Sequence, residues 1–416
     1  MWRMSSYRGL FRVAEFTPLF SAVTLRYGAM TMQGISLGVL VYDRTGSPLY
    51  TALSMFGPSA AQLLGAMTLL SFADRVRPRA ALVMTAISFA VVAAVVATPG
   101  LSITIILALV GASGLVSVIG NGAQWGLLAE ILPPSRYLLG RSLFTMSNGI
   151  MQMLGFGVGG LLVAATSPRV TLLLAALVHV TAVAVAHLGL ADRPPRAVGP
   201  ASVRTTWTDN ARLWSVPYRR RLFVAMWVPN GLIVGCEAVF VPYAPRWSGL
   251  MFAASAAGML AGDVLVARFL TAAARARLRM PLRLLLAGPY LAFGLHLPVP
   301  VAAVLIVVAS VGYGSTLLLQ EELLATVPRS LTGHALGLHS CGMLAMQAIG
   351  ASVAGVLAGR LSPGVTMTCL AVASLVVTVA VSVGGPVTTE RPDPADPSTG
   401  HLGATMTAEP QREDVR

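Results

Sequence analysis

Long apolar runs of roughly 17 to 30 residues follow one another along this 416-residue chain, separated by short polar gaps. Runs of this length match the hydrocarbon thickness of a bilayer when coiled as α-helices. About twelve are present, at residues 16–42, 49–72, 80–98, 101–130, 140–165, 168–190, 222–244, 247–268, 281–297, 299–325, 333–359 and 362–384. An isolated strand would leave its backbone groups unpaired in lipid, so each run is expected to be a helix. The pattern predicts an all-α integral membrane protein of about twelve transmembrane helices.

The gaps carry the charge. All 29 basic side chains are arginine, and 24 of them fall in alternate gaps or at the ends, among them Arg275, Arg277, Arg279 and Arg283. Only Arg44, Arg169, Arg246 and Arg360 fall on the other side, and Arg26 lies inside the first run. Cytoplasmic loops retain excess positive charge. Both termini are therefore expected in the cytoplasm, in agreement with an even number of spans. The first run is too long for a cleaved signal peptide and reads as a retained helix.

Composition strengthens this reading. Hydrophobic residues make up 55% of the chain, charged residues only 11%, and the mean hydropathy is +0.74, values outside the range of soluble domains. The net charge of +13 would suggest nucleic acid in a soluble protein. Dealt out loop by loop beside apolar runs, it instead fits membrane topology and anionic headgroups, with the lipid bilayer as partner and no nucleic acid. Cys236, Cys341 and Cys369 all lie in apolar runs without a close pair, which argues against disulfides and a metal site. No cofactor is expected, and a chain without lysine cannot hold a Gly-x-x-x-x-Gly-Lys nucleotide loop.

The longest internal gap, residues 192–221, is rich in arginine and proline and divides the chain into halves at 1–191 and 222–385. Residues 386–416 mix Pro, Thr, Asp and Glu without periodicity and are expected to form a disordered cytoplasmic tail. The halves repeat each other. At an offset of 193 residues, Gly65 aligns with Gly258, Arg75 with Arg268, Arg136 with Arg329, Gly140 with Gly333, Gly149 with Gly342 and Gly157 with Gly350. At 192, Gly120, Gly122 and Glu130 align with Gly312, Gly314 and Glu322; at 195, Ser167-Pro168 aligns with Ser362-Pro363. Parallel repeats of this kind mark duplicated transporter halves.

Six spans, a basic linker and six more in parallel repeat resemble the major facilitator superfamily over residues 10–385. Local sequence agrees. Asp43-Arg44-Thr45-Gly46-Ser47 is similar to a turn found in bacterial drug-exporter-like members. Phe72-Ala73-Asp74-Arg75-Val76-Arg77-Pro78-Arg79 resembles the family loop Gly-x-Leu-Ala-Asp-Arg-x-Gly-Arg-Arg, with Asp74, Arg75 and Arg79 matching, and in the second half Arg268 matches. The resemblance implies a cytoplasmic latch between the halves built on Asp74, Arg75, Arg79 and Arg268, and two pseudo-symmetric six-helix halves. Gly149, Gly155, Gly157, Gly159 and Gly160 resemble the glycine-rich fifth helix of exporters. Gly155-x-Gly157-x-x-Gly160 also fits a dinucleotide fingerprint, but no strand precedes it.

Ionisable residues inside spans are expensive and mark function by default. Arg26 in span one lies on one helical face with Gln33, and Glu237 in span seven on one face with Asn230. The resemblance places spans one, four, seven and ten around a central cavity. Span four supplies Asn121, Gln124 and Trp125, and span ten supplies Tyr313, Thr316 and Gln320, at spacings that share a face. These ten residues form the expected proton and substrate site, with Glu237 as the proton carrier. Of the histidines, His339 is the one that merits mutation.

The expected protein is thus a monomeric, proton-coupled exporter of a small hydrophobic or amphipathic compound in a bacterial inner membrane, working by alternating access. Three other readings stand beside it: a facilitator or importer of a small polar metabolite, a sensor on a transporter fold, and a membrane-embedded enzyme. The last requires clustered His, Asp or Glu at one membrane face, and the sequence has none.

Overall fold

In a computed structural model of the protein, residues 7–68, 75–195, 203–328 and 331–382 are described. Their secondary structure is helical throughout. The first half contains α1 (Phe16–Thr45), α2 (Pro48–Thr68), α3 (Pro78–Ala97), α4 (Ile103–Ile131), α5 (Pro134–Ala165) and α6 (Pro168–Gly189). After α7 (Val203–Ser215) come α8 (Pro217–Tyr243), α9 (Pro245–Phe269), α10 (Ala272–Leu285), α11 (Val299–Thr326), α12 (Thr332–Ala358) and α13 (Pro363–Ser382). Nine of these helices are long and apolar enough to cross a membrane. Of the remaining three expected spans, α1 and α2 are long but less apolar, and α10 is short.

Local chemistry sets the boundaries. Proline opens α2, α3, α5, α6, α8 and α13, where a missing N–H leaves no gap in the helical ladder. Ser102 and Thr271 accept from the N–H groups of Ile105 and Ala274 at 3.3 Å, capping α4 and α10. Gly46 closes α1 in the left-handed region at φ 59°, its N–H bonded to the Tyr42 carbonyl, which explains the glycine of the Thr-Gly-Ser turn.

Two elements differ from expectation. The linker 192–221 contains the amphipathic helix α7, because Leu213 is buried and Trp214 stacks on Phe223 and Trp227 with centroids 6.2 and 5.7 Å apart. Span nine, expected at 281–297, begins earlier, at Ala272, and breaks after Leu286 before resuming as a 3-10 helix over Gly288–Leu295. Pro289 within this stretch cannot continue the α-helical ladder. The expected tail at 386–416 lies outside the described residues.

The repeat seen in the sequence reappears as packing. In the first half, α1 packs on α5 and α6, α2 on α4, and α3 on α6; in the second, α8 packs on α12 and α13, α9 on α11, and the 3-10 continuation of α10 on α13. Aligned glycines do the same work in each half. Gly65 meets Val118 and Leu115 of α4 as Gly258 meets Val307 and Ser310 of α11. The duplicated Ser-Pro pairs are duplicate caps: Ser167 Oγ accepts from Val170 N–H at 3.2 Å and Ser362 Oγ from Val365 N–H at 3.3 Å.

Across the halves, α5 packs on α9 and α2 on α12. The glycines of α5 divide between two partners. Gly155 and Gly159 face α1, whereas Gly149, Gly157 and Gly160 face Leu260, Ala253 and Gly249 of α9. At Gly160 and Gly249 the two backbones touch, and a Cβ on Gly355 of α12 would stand 2.7 Å from the Leu49 Cα of α2. Both crossings lie at the end of the bundle away from the arginine-rich loops, and they need small residues to form. Around the outside, apolar side chains such as Leu161, Leu177, Val304 and Val376 are exposed, a surface suited to lipid rather than water.

Candidate functional site

The first half holds a buried cation. Arg26 is only 3% exposed, and one guanidinium nitrogen donates to Asn121 Oδ1 at 3.1 Å and Gln124 Oε1 at 3.2 Å. The guanidinium carbon also lies 4.9 Å from the Tyr27 ring centroid, within cation–π range. Helical spacing brings Asn121 and Gln124 to one face of α4, and the structure places that face against α1. Arg26 Nε and Gln124 Nε2 remain buried without hydrogen-bond partners. The charge is thus solvated by neutral dipoles.

The second half holds the opposite charge. Glu237 is 7% exposed; its Oε1 accepts from the Ser255 hydroxyl of α9 at 2.5 Å and the Tyr313 hydroxyl of α11 at 3.4 Å. Ser255 and Ser310 hydroxyls lie 3.1 Å apart, extending the network. The same core contains Tyr290, fully buried with an unpartnered hydroxyl. Among the described residues, Glu237 has no basic side chain within ion-pairing distance, and it does not bridge to Arg26. A buried carboxylate without a counter-ion is costly, and here two hydroxyls from other helices offset part of that cost.

The other candidates are distributed among further clusters. Gln33 Oε1 accepts from His179 Nε2 of α6 at 3.2 Å, and the imidazole stacks on Phe89 at 5.5 Å. Gln320 pairs with His339 Nε2 of α12 at 2.8 Å, and the His339 carbonyl accepts from Trp227 Nε1. Trp125 packs edge-on against Phe144 of α5 and lies 5.5 Å from the Arg141 guanidinium. Asn230 and Thr316 line a small internal cavity with Arg283.

Arg283 corrects the sequence reading. Grouped there with the loop arginines although it falls inside the expected span 281–297, it is 7% exposed inside the bundle, donating to Ser382 Oγ at 2.8 Å and the Thr378 carbonyl at 3.5 Å. Because α10 starts nine residues before the expected span, its arginines lie on a helix instead of a loop. Ser255, Ser310, Tyr290 and His179 were also missed. Single hydroxyls in apolar runs carry little sequence signal, since most bond back to their own helix.

Asp74 lies outside the described residues. Of the predicted latch arginines, Arg79 lies 3.5 Å from Asp192 and 3.4 Å from the Leu190 carbonyl at the end of its own half, and the neighbouring Arg77 pairs with Asp192 at 2.7 Å. Arg75 and Arg268 are exposed. Beside them Arg193 grips Glu15 through two 2.6 Å bonds. These hydrogen bonds hold the Glu15 carboxyl below its ordinary range and raise Arg193.

At the opposite end, a cleft of about 200 Å³ opens between α1, α5 and α9, with Asp43 and Arg246 among its lining residues. Repeated six-helix halves, interlocked through two crossed pairs and each enclosing buried charge, define a polytopic membrane transporter. A family model described as the Major Facilitator Superfamily matches residues 19–324, and the chain belongs to that superfamily.

Solved structures agree in fold. A POT family transporter in complex with a thioalcohol-conjugated peptide is 13% identical, with a TM-score of 0.71 over 90% of this chain and 96% of that one. The same family's complex with 5-aminolevulinic acid gives 12% identity and a TM-score of 0.71 over 92% and 97%. A bacterial homologue of the human lysosomal transporter Spinster, inward-facing and unoccupied, gives 14% and 0.65 over 88% and 95%. No curated protein matches in sequence. The shared fold is that of secondary transporters working by alternating access.

Proposed function

We propose that the protein is a proton-coupled exporter of small hydrophobic or amphipathic compounds in a bacterial cytoplasmic membrane, with its termini and arginine-rich loops inside the cell. Glu237 carries the proton. The observation behind this reading is its setting: a buried carboxyl, held by Ser255 and Tyr313 from two other spans, with no cation beside it. Protonated, the group is neutral and fits an apolar core; deprotonated, it needs water or a cation. Rocking the halves supplies the change of surroundings. Arg26, fixed by Asn121 and Gln124, orients substrate from the other half.

A specific observation favours a second reading. Among the described residues Arg26 has no carboxylate partner and Glu237 no cation, so a ligand bearing both charges would complement the two halves. Fold neighbours include transporters in complex with a conjugated peptide and with 5-aminolevulinic acid. Under this reading the substrate is a small zwitterionic metabolite.

Purified protein in liposomes under an imposed pH gradient tests both. Export of lipophilic cations or dyes that follows the gradient in wild type, and loses its pH dependence in Glu237→Gln, supports the first. Transport unaltered in pH dependence by Glu237→Gln removes Glu237 as the carrier. Uptake of amino acids or dipeptides abolished by Arg26→Met, with no movement of lipophilic compounds, selects the second.

A further inference from the structure

The second half contains a small space between helices that neither charge cluster uses. It measures about 10 Å³ and is lined in part by Ala225, Asn230, Arg283, Thr316 and Thr378, drawn from α8, α10, α11 and α13. Three of these residues each bury a polar atom without a hydrogen-bond partner: Arg283 Nε, Asn230 Oδ1 and Thr378 Oγ1. Pro229, inside α8, interrupts the helical ladder beside the same space. Lacking an N–H, it cannot bond back to the Ala225 carbonyl four residues earlier. Unmet buried polar groups are rare and each is penalised, so three around one space, beside a carbonyl that lacks its usual ladder donor, point to a shared occupant.

We propose that one water molecule fills this space. It accepts hydrogen bonds from Arg283 Nε–H and the Thr378 hydroxyl, and donates to Asn230 Oδ1 and the Ala225 carbonyl. Two donors and two acceptors match the valence of water, and the volume matches a single water. A halide would suit the buried guanidinium but would face two oxygen acceptors with nothing to donate. The water supplies the hydrogen bond that Pro229 cannot, tying the weak point of α8 to α10 through Arg283 and to α13 through Thr378. Arg283 is held from its far side by Ser382, so the guanidinium is a fixed post, and the four helices are joined to move as one body.

A crystal or electron cryomicroscopy structure at about 2 Å tests the site directly. The expected result is a density peak within about 3.2 Å of Arg283 Nε, Asn230 Oδ1 and Thr378 Oγ1. A bromide anomalous signal at that point would replace the water with an anion, and direct side-chain bonds closing the space would remove it. Thermal unfolding in detergent gives an independent measure. Asn230→Leu and Thr378→Val each expel the same water, so the double variant should melt little lower than the worse single one. Losses that simply add would mean separate contacts and overturn the proposal. The wild-type density decides the matter even where a variant does not fold.

Discussion

At the scale of single residues, Arg26 and Glu237 are both buried and held by neutral neighbours, which makes those neighbours consequential. Replacing Gln124 by Leu keeps the volume of the side chain but removes one of the two amide oxygens bonded to Arg26. Loss of a bond to a buried charged group costs about 1.5–3 kcal/mol, and a fall of several degrees in the melting temperature of purified protein is expected. An unchanged melting temperature would mean that water replaces the amide. Ser255→Ala should make transport less sensitive to pH without abolishing it, since Tyr313 still bonds Glu237; transport assayed in liposomes between about pH 6 and 8 checks this. Arg26 and Glu237 were legible from the sequence because charge inside an apolar run stands out. Their partners were legible in part: helical spacing grouped Asn121 with Gln124, but nothing in it could show that Gln33 would meet His179 on α6, a choice made by packing. Arg283 was hidden by its company, three other arginines within eight residues, which read as a loop.

Among helices, the crossings between halves are set by glycine. A Cβ on Gly249 would strike the Gly160 backbone, and backbone has nowhere to move in a packed bundle. Gly249→Ala is expected to part α5 from α9 at this end and to widen the cleft beside Asp43. A cysteine placed at Val163, in the cleft lining, should then react several-fold faster with a membrane-impermeant maleimide than in the Gly249 parent. Equal rates would show that the helices repack. Helix positions were largely readable because span length and proline starts are written locally. The early start and break of α10 were not: its first turns carry arginine, which hydropathy assigns to water, although the long stems of Arg275 and Arg279 reach Glu321 and Glu322 of α11 from the helix itself.

For the whole molecule, the Glu15–Arg193 pair ties the start of α1 to the chain leaving α6. Its carboxyl is lowered from an ordinary value of 4.5, first by the hydrogen bond from Arg193. The tie therefore contributes stability above that ordinary value and loses it as pH falls through the lowered one. Protection from hydrogen exchange near residues 190–195, taken relative to the intrinsic rate at each pH, should fall on acidification below about pH 4 in wild type, and should already be low at neutral pH in Glu15→Gln; protection indifferent to both changes would remove the tie. Arginine placement and the repeat made the two-half architecture readable, because both are properties of the chain's order rather than of its packing. The described ion pairs at the arginine-rich face, Arg77 and Arg79 with Asp192, Arg193 with Glu15, Arg275 with Glu321 and Arg279 with Glu322, all close within one half. Parting the halves there breaks none of these pairs. Ionic strength, which weakens such pairs, would act through them by softening each half rather than by favouring either position of the rocker.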